Sequence, residues 1–143
     1  MTFLFSKAKR QVAFQALLHT NVTVKTQRVL ILKDDIINIG GGYDPDTGYF
    51  TAPVSGMYMF MATSASCEKG VWARLDLVHE GEDLAHLFAG EDSCTCHAAV
   101  KVVVGERVWL RTFKPDGDGG NTVYRYSAAW MTSFSGVLVQ PDL

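Results

Sequence analysis

Residues 40–60 read GGGYDPDTGYFTAPVSGMYMF, from Gly40 to Phe60. Three glycines open the stretch, and Asp44, Pro45, Asp46 and Gly48 build the turn that follows. Pro45 holds φ at about −65°, the aspartates can bond their own backbone, and Gly48 accepts φ > 0. Tyr49 and Phe50 form a short apolar piece, and a second breaker, Ala52-Pro53-Val54-Ser55-Gly56, leads into a strand-like run from Met57 to Thr63. The pattern is turn, short strand, turn, long strand, with aromatic residues at 43, 49, 50, 58 and 60.

Outward from this segment, alternation with period two continues along the chain, and no stretch carries a convincing helical stripe. Val12, Phe14, Ala16 and Leu18 share one face; Val71, Ala73, Leu75 and Leu77 share another, against Trp72, Arg74 and Asp76. Ala98, Val100, Val102 and Val104 line a further strand. Val108, Leu110 and Thr112 oppose Arg107, Trp109, Arg111 and Phe113. Tyr124, Tyr126, Ala128 and Trp130 make a row, and Phe134, Gly136 and Leu138 the last. Many short strands with Gly and Asp between them predict a sandwich or barrel.

At 143 residues the chain fits one domain, long enough to bury roughly 68% of its unfolded surface. Its apolar fraction of 48% and charged fraction of 20% are ordinary for a soluble domain. Thirteen basic against fifteen acidic residues leave a formal charge of −2, which argues against nucleic acid as a partner. No run approaches the about 18 apolar residues of a transmembrane helix. The opening MTFLFSKAKR has its basic residues after a short apolar patch, the reverse of a signal peptide. Asn21-Val22-Thr23 is a glycosylation sequon, which matters only for an exported chain.

Asn38, Tyr43, Phe50, Gly56, Tyr58 and Phe60 fall on the spacing of the signature of the complement C1q-like globular domain, and the chain resembles that branch of the C1q/tumour necrosis factor superfamily. The family pattern runs from a Phe through Asn or Asp and an aromatic to a second Phe, then closes as Gly-x-Tyr-x-Phe-x-aromatic. Leu32 stands in place of its first Phe and Ala62 in place of its last aromatic. Val12 to Ala16, Val104 to Leu110 and Ser133 to Leu138 resemble the opening strand, the Gly-acid-x-Val-Trp-Leu hairpin and the closing strand. The implied fold is all-β, a jelly-roll sandwich of about ten antiparallel strands in two sheets, with residues 1–10 as a tail and 11–143 as the globular head. The resemblance also implies a threefold homotrimer and secretion, and no collagen-like Gly-X-Y segment is present in these 143 residues.

If Tyr58, Phe60 and Ala62 face the core, Met57, Met59 and Met61 point outward, where a solvated strand face should be polar. Either a loop covers them or they meet another copy of the chain; outward Trp109, Phe113 and Met131 fit the second reading.

Three chemistries are open to the polar residues. Cys94 and Cys96 would share a strand face with His97 opposite, poor geometry for one zinc ion, so small buried thiols are the simpler reading, with a disulfide to Cys67 as the alternative. The four histidines are scattered and no Gly-x-Ser-x-Gly elbow or phosphate-cradling loop occurs, so catalysis is not expected. The loop from Lys114 to Asn121, followed by Tyr124 and Arg125, reads either as a surface turn or as a ligand-contact loop. In the second reading Asp116, Asp118, Asn121, Tyr124 and Arg125 hydrogen-bond and stack against a polar ligand. In the resembled family, carboxylates near Asp83, Glu91 and Asp92 hold calcium in some members, and oxygen ligands suit Ca²⁺. The function this implies is non-catalytic: a lectin-like pattern-recognition head of innate immunity, resembling stand-alone invertebrate C1q-domain proteins, that binds microbial surface glycan or another polar ligand as a trimer. The alternatives are a secreted signalling ligand for a cell-surface receptor and a purely structural trimerisation head.

Overall fold

The computed structural model describes residues 10–67, 72–90, 92–113, 122–129 and 131–143. Among them eleven strands form, and no helix: β1 (Ala13–Leu17), β2 (Val22–Lys25), β3 (Asp34–Ile39), β4 (Phe50–Thr51), β5 (Gly56–Ala65), β6 (Ala73–His79), β7 (Glu82–Ala89), β8 (Ser93–Val102), β9 (Arg107–Thr112), β10 (Val123–Tyr126) and β11 (Ser133–Pro141). A five-stranded sheet has the order β3-β1-β11-β5-β8, and a four-stranded sheet the order β4-β9-β6-β7. β10 and β2 pair as a separate ribbon. All of these pairs are antiparallel, the jelly-roll sandwich that the family resemblance implied.

The inward faces meet in one apolar core. Tyr58, Phe60 and Ala62 of β5 are fully buried, as the parity of the run requires, and Leu75, Leu77, Leu87, Val108 and Leu110 come from the opposite sheet. Phe14 stacks on Phe50 at 4.9 Å between ring centroids and meets Phe134 edge-on at 4.9 Å, joining the two sheets through aromatic contacts. Gly136 lies in β11 directly beneath this cluster. A Cβ there would come within 2.6 Å of the Phe14 ring and 2.7 Å of the Phe60 ring, so only glycine fits.

The signature residues have separate mechanical tasks. The Asn38 side chain donates to the Tyr43 carbonyl at 2.7 Å and accepts from the Tyr43 N–H at 3.2 Å, pinning both ends of the glycine turn. The Tyr43 hydroxyl donates to the Leu32 carbonyl at 2.7 Å and accepts from the Leu32 N–H at 3.2 Å. Leu32 and Ala62, the two departures from the pattern, are both fully buried. Gly48 adopts φ +82° and lies against the Leu30 carbonyl, the left-handed conformation that the Asp-Pro-Asp turn demands.

One expectation shifts. Val104 does not continue the β8 row; it is exposed in the turn to β9, where Gly105 takes φ +90° and the Glu106 carboxylate accepts the Val103 N–H at 2.8 Å. Val71 and Trp130 lie outside the described residues.

Tyr43, Tyr58 and Tyr126 are buried and donate their hydroxyls to the carbonyls of Leu32, Val54 and Arg74. Burial raises the pKa of all three above the ordinary tyrosine range. A folded pKa above the unfolded one means that the neutral phenol is favoured in the fold. The associated stability is therefore complete below about pH 10 and is lost as pH rises beyond it. In an alkaline titration, tyrosinate absorbance from these residues should grow only together with loss of far-UV circular dichroism. Ionisation of all five tyrosines in a chain that keeps its native spectrum would contradict the burial.

Candidate functional site

The outward face of the five-stranded sheet is largely apolar from β3 across to β5, while β8 turns Thr95, His97 and Lys101 out beside Met57 to Thr63. Met57, Met59 and Met61 of β5 alternate with the buried aromatics and stand in register with Gln140, Val137 and Ser135 of β11. Ile37, Met61 and Val137 are each 44–48% exposed, and Ile39 and Val139 lie in β3 and β11 as well. Ala13, Gln15, Ile37, Met59, Met61 and Val137 line a shallow groove of about 250 Å³ on this face. An apolar patch continuous over four strands is the kind of surface that proteins cover by association.

Trp109 and Phe113, grouped with the methionines from sequence, do not join this face. Trp109 projects from β9 of the other sheet, edge-on to Tyr49 at 5.2 Å, and Phe113 follows β9 and packs at 6.0 Å from Phe88. Met131 sits at φ +65° in the turn before β11. Alternation shows that a residue points outward but not from which sheet.

Of the expected ligand contacts, Asp116, Asp118 and Asn121 lie outside the described residues. Arg125 is exposed on β10, opposite Thr23 of β2. Tyr124 is not a surface platform: its ring is buried in the core, because β10 pairs with β2 and turns both Tyr124 and Tyr126 inward.

The expected calcium set does not converge. Asp83 stands at the start of β7 and Asp92 beyond its end, so about 20 Å or more of extended chain separates them. The Asp83 carboxylate is taken by Arg111 at 2.7 Å, and exposed Asp92 gives its backbone carbonyl to the Ser66 N–H. Glu91 lies outside the described residues. Asp83 and Asp92 therefore do not share one ion. Cys94 and Cys96 face inward, half-buried, while His97 is exposed on the opposite face, and all three cysteines are free thiols. Burial, and then the neighbouring Cys94, push the Cys96 thiol up, which keeps it a poor nucleophile.

The four-stranded sheet turns a different chemistry outward. His86, Asp76 and Arg111 stand directly opposite one another across β7, β6 and β9. The buried Asp76 carboxylate lies 2.5 Å from His86 Nδ1 and 3.8 Å from Arg111 Nη2. Asp76, Asp83 and His86 each bring a ligand atom within 4.8 Å of the others, but Arg111 already supplies the cation among them. In the adjacent row the Arg74 guanidinium lies between Phe88, at 4.3 Å, and Phe113, at 4.0 Å from the ring centroids. Arg107 covers Tyr49 at 4.4 Å. Below them His79 meets Glu106 at 3.1 Å, and the Val103 N–H, then the His79 ring, hold the Glu106 carboxyl below its usual range. This surface offers fixed hydrogen-bonding groups beside partly open rings, which suits a polar ligand with an apolar edge. Sequence reading missed it, although Arg74, Asp76 and Arg111 were all placed on outward faces.

The C1q domain model matches residues 13–139. The human complement C1q tumor necrosis factor-related protein 3 is 32% identical over 106 residues, covering 71% of this chain and 43% of that protein. The mouse complement C1q tumor necrosis factor-related protein 6 is 28% identical over 111 residues, covering 74% of this chain and 40% of that protein. The chain thus spans less than half the length of these two curated relatives. The globular domain of zebrafish complement 1qA superposes with a TM-score of 0.73 at 22% identity, over 93% of this chain and 100% of that one. Murine APRIL superposes with a TM-score of 0.66 at 9% identity, over 91% and 100%, a likeness of fold alone. With the signature residues in their structural roles and the family model spanning β1 to β11, this chain belongs to the C1q domain family.

Proposed function

We propose that this chain is the recognition head of a secreted, non-catalytic, lectin-like pattern-recognition protein that assembles as a homotrimer and binds microbial surface glycan or a similar polar ligand. The observation that carries this reading is the opposition of the two sheets. One turns an apolar face outward, suited to other copies of the chain, and the other turns out a charged and aromatic face. Trimerisation multiplies weak single-site contacts into avidity, so a shallow polar surface suffices. Among the described residues no helix is long and apolar enough to cross a membrane.

We assign the contacts to Asp116, Asp118, Asn121 and Arg125, because loops on a rigid scaffold are where binding groups concentrate. A glycan array probed with the trimer, and competed by free sugar, tests the reading. Replacing Asp116 and Asp118 together with Ala is expected to weaken array binding at least tenfold, about 1.4 kcal/mol, with trimer mass and melting temperature little changed. Binding as tight as wild type in that variant removes the loop from the site, and an array with no sugar-competed signal removes the lectin reading. A chelator arm in the same assay reads whether Asp92 acts through calcium.

The 32% identity to a protein named as tumor necrosis factor-related favours a second reading, a signalling ligand. Its mark is saturable binding to a receptor ectodomain that free sugar does not compete.

A further inference from the structure

We propose that Asn21 is an acceptor site for an N-linked glycan, an inference that rests on the secreted reading above. Asn21-Val22-Thr23 is the only Asn-x-Ser/Thr tripeptide in the chain, so the site is unambiguous. The fold arranges it for modification. Val22 and Val24 pack against the core, and strand alternation therefore turns Thr23 outward; Asn21, in the turn before β2, is exposed as well.

The Asn21 side chain is also held in a particular orientation. Its Oδ1 accepts the Ala128 N–H at 2.8 Å, which turns Nδ2 away from Ala128. Among the described residues none accepts a hydrogen bond from Nδ2. In the transfer, Nδ2 bonds to the anomeric carbon of an oligosaccharide carried on a lipid diphosphate. The bond from that carbon to the diphosphate oxygen breaks, the lipid diphosphate leaves, and Nδ2 gives up one proton. No redox change occurs. The amide carbonyl survives, so the bond to Ala128 is kept in the glycosylated protein.

Asn21 precedes β2, which lies in the two-stranded ribbon and not in the five-stranded sheet that carries the methionines. Val22 pairs with Tyr126 and Lys25 with Val123, so Asn21 marks the end of the ribbon away from Val123.

The test is expression of the full chain behind a cleavable export signal in a eukaryotic secretory host. Intact mass is read from medium and microsomes alike, before and after peptide-N-glycosidase. The expected result is a mass excess that the enzyme removes, leaving Asp at position 21 in the peptide map. Thr23→Ala should abolish the excess while leaving Asn21 and its bond to Ala128 in place, and Thr23→Ser should keep it. A wild-type chain with no enzyme-sensitive excess, or an excess that survives Thr23→Ala, overturns the proposal. Failure of the lectin reading is separately visible, as a glycosylated chain that binds nothing on the array.

Discussion

Phe60→Ala should lower the unfolding free energy by roughly 3–5 kcal/mol. Phe60 is fully buried, and its ring meets Phe50 at 5.6 Å, Tyr58 at 5.8 Å and Phe134 at 6.2 Å. It thus links rings from β4, β5 and β11 in both sheets. The void left by truncation cannot collapse easily. Gly136 already brings the β11 backbone against the ring, and neighbouring rings hold one another in place. A typical domain has only about 5–15 kcal/mol to lose, so this one change consumes a large share. Urea unfolding at fixed protein concentration measures it, since assembly makes apparent stability concentration-dependent. A loss below about 1 kcal/mol would falsify the β5 register.

Met59→Glu combined with Met61→Glu should convert a trimer into a monomer, a threefold fall in sedimenting mass from a multiple of the 15.7 kDa chain. Met61 is 48% exposed in the single chain and Met59 lies beside it on the outward face, so the folded monomer tolerates both carboxylates in water. At a closed interface the same groups would be desolvated at a cost of several kcal/mol each, and rotational symmetry repeats that cost in every copy. Circular dichroism and melting of the variant separate lost assembly from lost fold. Wild-type protein that sediments at the single-chain mass across micromolar concentrations would remove the homotrimer, and with it the avidity on which the lectin reading depends. A Trp109→Ala variant serves as the control: Trp109 is on the other sheet, beside Tyr49, and trimer mass should stay unchanged.

Much of the fold was legible because period-two alternation and turn chemistry are local. The run from Met57 to Thr63 announced which side chains share a face, and burial of Tyr58, Phe60 and Ala62 followed from it. Gly48 was required by its own turn, and its φ of +82° bears this out. The spacing from Asn38 to Phe60 carried the family resemblance, and its physical basis is the pair of hydrogen bonds between Asn38 and Tyr43 and the two between Tyr43 and Leu32.

The candidate sites were less legible, for a definite reason. Alternation states that Tyr124 and Tyr126 lie on one side of a strand, but only pairing with β2 decides that this side is the core. Asp83 and Asp92 look close in sequence, yet β7 runs straight between them and carries them apart. Arg74 came to lie between Phe88 and Phe113, and Asp76 between His86 and Arg111, through registers joining strands distant in the chain. What could be read from the chain alone was the alternation, the side chains that share a face in Met57 to Thr63, and the turn at Gly48, because those depend on each residue and its near neighbours. Which strands lie side by side, and which outward groups meet, came from the fold as a whole, because each such contact depends on the register of two strands at once.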